Sequence, residues 1–131
     1  MMRVEVLQVL SPSQGIVRFR CESGIASGRW MGSNPAEVGQ FDVEIEVPEE
    51  VAGWTAVPPG VTSISEVAGA ESAALITGVV VRFDDGDDSV VEIRVGSDIL
   101  LIEIPNRRSE LPVEDLISFR APEIQLYPYD L

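Results

Sequence analysis

Apolar and polar residues alternate along most of this chain with a period of two, the repeat of a β-strand that buries one face. Segment 41–47 is the clearest case: Phe41, Val43, Ile45 and Val47 point one way, and Asp42, Glu44 and Glu46 the other. Segment 16–22 sets Val17, Phe19 and Cys21 against Arg18, Arg20 and Glu22. In 2–10, Met2, Val4 and Val6 share a face while Leu7 and Val9 fall in the opposite phase. That slip predicts a bulge or a bend. Further strands are predicted at 25–31, 61–67, 75–83, 90–95, 99–104, 116–120 and 124–129. In 75–83 the alternation puts Leu75, Thr77, Val79, Val81 and Phe83 on one face. No stretch shows the period of an amphipathic helix.

Turn residues punctuate these runs about every ten residues. Ser11-Pro12-Ser13-Gln14-Gly15, Ser23-Gly24, Asn34-Pro35 and Gly96-Ser97-Asp98 are such breaks. Segment 48–60 carries Pro58-Pro59-Gly60, and Trp54 among small residues, and reads as a long connection. The pattern predicts an all-β protein: a small barrel or sandwich of eight to ten mainly antiparallel strands. Its parts are an N-terminal β unit (1–47), the connecting loop (48–60) and a C-terminal β-barrel unit (61–131), gathered in one compact globule.

Two resemblances add to this. The C-terminal half has a long strand bearing Gly78, then a hairpin, then a strand ending Ile102-Glu103-Ile104-Pro105, and two final strands ending Ile124-Gln125-Leu126-Tyr127-Pro128. In this layout it resembles an oligonucleotide/oligosaccharide-binding (OB) barrel, or the related barrels appended to molybdate transporters. It departs from them where the loop 105–112 replaces the usual helix. In the first half, Trp30-Met31-Gly32, Asn34-Pro35, Gly39 and Phe41-Asp42-Val43-Glu44-Ile45 resemble segments of small uncharacterised bacterial all-β proteins. Neither resemblance carries an activity with it.

Composition narrows the chemistry. The chain has no histidine and no lysine, and its one cysteine is Cys21. Imidazole proton transfer, Schiff-base chemistry and a phosphate-loop lysine are therefore unavailable to it. The expectation is a non-enzymatic protein without cofactors. The 22 acidic residues against nine arginines give a formal charge of −13, which opposes binding to nucleic acid and to anionic membrane surfaces and favours solubility, or a basic partner. No apolar run approaches the ~20 residues of a membrane span. Segment 1–6 alternates and carries Glu5, unlike a signal peptide, and the lone cysteine offers no disulfide framework. A cytoplasmic location, as a monomer or weak homo-oligomer, is expected.

Several residues are candidates for function. Asp42, Glu44 and Glu46 form an acidic stripe that a partner protein could contact, or that Arg18 and Arg20 of a neighbouring strand could neutralise. Trp54 is a candidate hot spot if its loop is exposed. Arg107 and Arg108, in a polar loop, could grip a carboxylate or phosphate. Asp84, Asp85, Asp87 and Asp88 could hold calcium, although their spacing does not fit an EF-hand and the Asp-Gly core suits a hairpin turn. Cys21 lies in phase with Val17 and Phe19, so a buried, unreactive thiol is expected. Tyr127 and Tyr129 could stack on a ligand or cap a barrel end. The leading expectation is a protein-binding module; the alternative is a barrel that binds a small ligand or a metal ion.

Overall fold

The computed structural model describes residues 1–69, 73–83, 90–105 and 111–129. Among these are eleven strands and no helix. They are β1 (Met2–Ser11), β2 (Ile16–Cys21), β3 (Gly24–Trp30), β4 (Gly39–Glu46), β5 (Thr55–Ala56), β6 (Ser63–Glu66), β7 (Ala74–Phe83), β8 (Val90–Val95), β9 (Asp98–Glu103), β10 (Leu116–Ala121) and β11 (Gln125–Pro128). Ten of them occupy segments where alternation places a strand; the extra one, β5, is a two-residue strand inside the connection 48–60. The turn Asp84–Asp88 and the loop arginines Arg107 and Arg108 lie outside the described residues.

The strands form two sheets. One closes into a five-stranded barrel in the order β1-β2-β3-β11-β4. The other is an open six-stranded sheet, β5-β10-β7-β8-β9, with β6 beside β7. The all-β barrel or sandwich expected from alternation is thus what forms. The closed barrel, however, belongs to the N-terminal strands. It takes β11 from the far end of the chain, parallel to β3 (Gln125↔Arg29, Leu126↔Trp30) and antiparallel to β4. Among the described residues, the other C-terminal strands form a sheet that is not a closed barrel, and the OB-like layout is not shown.

Local sequence explains the details. The predicted slip in β1 appears as register shifts between Val6 and Gln8 and between Val9 and Ser11; through them Val9 still pairs with the buried Val17. β7 corrects the predicted face. Ala74, Ile76 and Val80 are buried, while Leu75 and Val81 are exposed. This segment is apolar in both phases, so alternation alone does not select the inner one. A further shift between Val80 and Arg82 then restores Phe83 to the core side, opposite Val91.

The connection 48–60 is a strap rather than a free loop. The Val51 N–H donates to the carbonyl of Glu103 on β9 at 2.8 Å, and Thr55–Ala56 pairs with β10, on the other side of the sheet. The segment is thus bonded to strands at both ends of the path β10-β7-β8-β9. Val51 itself is buried. A single core joins the layers, with Val6, Phe19, Val43 and Leu126 from the barrel and Ile76, Ile93, Ile102 and Phe119 from the sheet. No helix among the described residues is long and apolar enough to cross a membrane.

The two layers meet at backbone level. The Ile64 N–H of β6 donates to the Ser23 carbonyl in the β2–β3 turn at 2.9 Å. The next residue, Gly24, has φ +142°, and a Cβ there would overlap the Ile64 carbonyl oxygen. Gly24→Ala is therefore expected to destabilise the protein by more than about 2 kcal/mol, because both the backbone conformation and the close approach forbid the methyl. Gly53→Ala, with open space around it, should stay within about 0.5 kcal/mol. Urea midpoints of the two variants check this; equal midpoints would contradict the packing of this joint.

Candidate functional site

β4 carries the acidic stripe, and the structure puts it on the barrel's outer face. Val43 and Ile45 are buried, and Glu44 and Glu46 are exposed. β2 and β4 are both strands of the barrel but are not neighbours, because β1 lies between them. The expected pairing of Arg18 or Arg20 with the stripe therefore does not form. Arg20 binds Glu5 on β1, Arg18 reaches Glu66 on β6 at 2.6 Å, and Arg3 of β1 takes Asp42 at 3.5 Å. Alternating charge fixes the face of a strand, not its neighbour. Among the described residues no arginine pairs with Glu44 or Glu46.

β11 lies on the other side of β4 and aligns Tyr127 with Glu44 and Gln125 with Glu46. The outward side chains of β11 form a chain of hydrogen bonds: Tyr127 Oη donates to Gln125 Oε1 at 3.0 Å, and Gln125 Nε2 donates to Glu123 Oε2 at 2.9 Å. Glu123 in turn pairs with Arg29 at 3.0 Å. Past the end of β11, the Tyr129 N–H donates to the Asp42 carbonyl, and the Tyr129 hydroxyl donates to Glu44. The Tyr129 bond holds the Glu44 carboxyl below its ordinary pKa, helped in smaller measure by the nearby Met1 ammonium and opposed by partial desolvation. The same bond raises the Tyr129 phenol.

Two grooves adjoin this face, one through Tyr129, the hydrogen-bond partner of Glu44, and one through Glu44 itself. One, of about 340 Å³, is lined by Trp30, Pro35, Glu37, Phe41, Pro128 and Tyr129, among others. The rings of Trp30 and Phe41 meet edge to face, 4.9 Å apart. Gly32 admits the chain beside them: a Cβ there would come within 2.7 Å of Trp30 Nε1 and 2.8 Å of Pro128 Cγ. The other groove, of about 330 Å³, lies between β4 and β9 and is lined by Glu44, Ile45, Glu46, Val47, Ile99 and Leu101. Ile99 and Leu101 are 44% and 62% exposed, which is unusual for side chains of this size in the middle of a strand.

Of the candidates read from sequence, Glu44 and Glu46 stand at this face. Asp42 is engaged by Arg3. Trp54 is half-buried and packs against the core. Asp84, Asp85, Asp87, Asp88, Arg107 and Arg108 are not among the described residues. Within the described residues, no group of three or more acidic or cysteine side chains is placed to hold a metal ion. Trp30, Phe41, Pro128 and Tyr129 come together only through the β3–β11–β4 pairing. The sequence signal for them was their bulk near chain breaks.

A third cleft, of about 550 Å³, includes Met2, Glu5, Arg20, Cys21, Asp42 and Asp98 in its walls. Its charges are paired across it, as in Arg20–Glu5, Arg3–Asp42 and the Met1 ammonium to Asp98 at 3.1 Å. Cys21 is buried there, and burial pushes its thiol pKa up, against the backbone N–H groups of Ser23 and Gly24.

Cys21 is expected to react slowly with a thiol reagent in the native protein and quickly after denaturation; fast native labelling would contradict its burial. The Glu44–Tyr129 bond gives a pH signature. A carboxyl with a depressed folded pKa stabilises the fold above its unfolded pKa, and that contribution disappears as pH falls through the folded value. Tyr129→Phe should therefore be less stable than wild type at pH 7, by a small margin suited to an exposed bond, and the two should converge on acidification below the ordinary glutamate range. Denaturation curves at several pH values measure this; a constant difference would rule the bond out as its source. No protein-family model, curated protein or solved structure matches this chain.

Proposed function

We propose that this chain is a non-enzymatic binding module whose partner is a protein presenting a basic segment. One observation carries the reading: Glu44 and Glu46 stand without an arginine partner along a groove that they share with the exposed Ile99 and Leu101, and Tyr129 ties Glu44 to an aromatic groove. Arginine and lysine side chains suit this arrangement on both counts. Their heads pair with carboxylates and their stems or faces lie on aromatic and apolar surface. The formal charge of −13 draws such a segment in and repels nucleic acid. A second reading, a small-ligand site, rests on the 550 Å³ cleft, whose size falls within the usual range for such sites. Its mutually paired charges leave less for a ligand to satisfy.

Fluorescence anisotropy with an arginine-rich peptide tests the first reading. Saturable binding is expected, weakening as salt rises. The double reversal Glu44→Lys with Glu46→Lys should weaken it by roughly tenfold or more, the scale of one lost charge-assisted contact. The same reversal at Glu114 and Asp115, in the connection before β10, should change it little. Acidic peptide and single-stranded DNA should not bind. Equal losses at both pairs of sites would mean that only net charge is being sensed, and would overturn the assignment of this face.

A further inference from the structure

We infer that the aromatic groove beside β11 takes the partner's basic segment in the polyproline II conformation, with its prolines on the aromatic rings and an adjacent cation on Glu37. This rests on the binding reading above and adds the conformation and composition of the segment. Backbone hydrogen bonding rules out an added strand here. The barrel is closed and β11 is paired on both sides, so it offers no strand edge. Three backbone N–H groups around the groove are already taken: Trp30 donates to the Gly15 carbonyl at 2.7 Å, Met31 to the Leu126 carbonyl at 2.9 Å and Tyr129 to the Asp42 carbonyl at 3.0 Å. The indole N–H of Trp30 is different. It donates to no acceptor among the described residues and is not a buried orphan, so it opens to solvent. It lies beside Gly32 and Pro128, two residues of the same groove, because a Cβ on Gly32 would come within 2.7 Å of Trp30 Nε1 and 2.8 Å of Pro128 Cγ.

The groove therefore presents apolar rings, one free N–H donor and one free carboxylate. Trp30, Pro35, Phe41, Pro128 and Tyr129 supply the rings. Glu37 is exposed, lines the groove and has no cation partner among the described residues. A helical ligand satisfies its own carbonyls and would leave the indole N–H unpaired. A polyproline II segment makes no internal hydrogen bonds, so its carbonyls are free to accept. It is also stiff before it binds, so little conformational entropy is lost. Its three-residue turn returns side chains to one face about every 9.3 Å. Proline rings repeated at that interval lie along an aromatic-lined groove, and a flanking arginine or lysine meets Glu37, with Glu44 next in line behind Tyr129. A second copy of this chain is the wrong occupant. Its own exposed prolines, Pro58 and Pro59, lie in a stretch with no arginine between Arg29 and Arg82, and with Glu49 and Glu50 close by.

The test uses the full chain and two ten-residue peptides of equal charge. One has two arginines followed by alanines with proline at every third position; the other has alanine in place of each proline. The proline peptide should bind roughly tenfold more tightly, the scale of one net hydrogen bond with its ring contacts. Its binding should shift tryptophan emission, and the shift should disappear in Trp30→Phe, which leaves Trp54 as the only tryptophan. Trp30→Phe keeps a ring but removes the N–H, and should weaken the proline peptide roughly tenfold. Glu37→Gln should weaken it several-fold. The comparison of the two peptides on the wild-type protein holds even if Trp30→Phe proves unstable. If both peptides bind the wild type equally while Glu44→Lys with Glu46→Lys abolishes binding, the polyproline assignment is wrong and the acidic-face reading survives. If the preference for proline persists and that double reversal changes nothing, the groove stands and the acidic-face reading falls. If neither peptide binds, both fall. Light scattering that showed a dimer dissociated by the proline peptide would overturn the choice of a foreign partner.

Discussion

β11 is the strand on which the rest of the molecule depends. It fills the gap between β3 and β4, parallel to one and antiparallel to the other, and without it the barrel has no closure. Closure matters energetically because it removes two edges and seals the interior around Phe19, Val43 and Leu126. It also links the layers, since β10 of the open sheet runs through the buried Ile124 directly into β11. The candidate site is a by-product of the same pairing. Tyr127, Pro128 and Tyr129 reach β4 only because β11 is there.

The charge distribution follows from local pairing. Arg3, Arg18, Arg20, Arg29 and Arg82 each lie against a carboxylate of a neighbouring segment. Such surface pairs contribute about 0–1 kcal/mol each and do not explain stability. They do decide where the excess negative charge appears. These cations sit on β1, β2, β3 and β7, and on the β4 face Glu44 and Glu46 are left with the Met1 ammonium, 3.4 Å from Glu44, and without a described arginine. Tyr129 keeps Glu44 ionised further into acid than an isolated glutamate.

Strand positions and the slip in β1 were legible because each depends only on neighbours along the chain. The buried face of 41–47 was legible for the same reason, since its two faces differ in polarity. The phase of 75–83 was not, because Leu75, Val79 and Val81 are as apolar as Ile76 and Val80, and the face is chosen by what β8 and β10 offer across the sheet. Which strands neighbour one another was also hidden. Opposite charge on β2 and β4 suggested contact, yet β1 carries both Arg3 and Glu5 and serves each of them. The aromatic groove joins residues near 30–41 to residues near 128, a juxtaposition that no local pattern encodes. The tie between Val51 in the long connection and Glu103 on β9 is hidden in the same way.

The parallel pairing of β3 with β11 has a consequence for biosynthesis. Its partners lie about 100 residues apart in the chain, a separation typical of slow, non-local contacts. As the protein leaves the ribosome, β1 to β4 emerge first and can form their hairpin pairings, but the ring stays open until residue 128 has appeared. During that interval β3 and β4 present unpaired edges to the cell while the whole second sheet is being made. Until β11 emerges, a nascent chain built this way is exposed to mispairing. Slow codons or chaperone contact would have the most effect before β11 emerges.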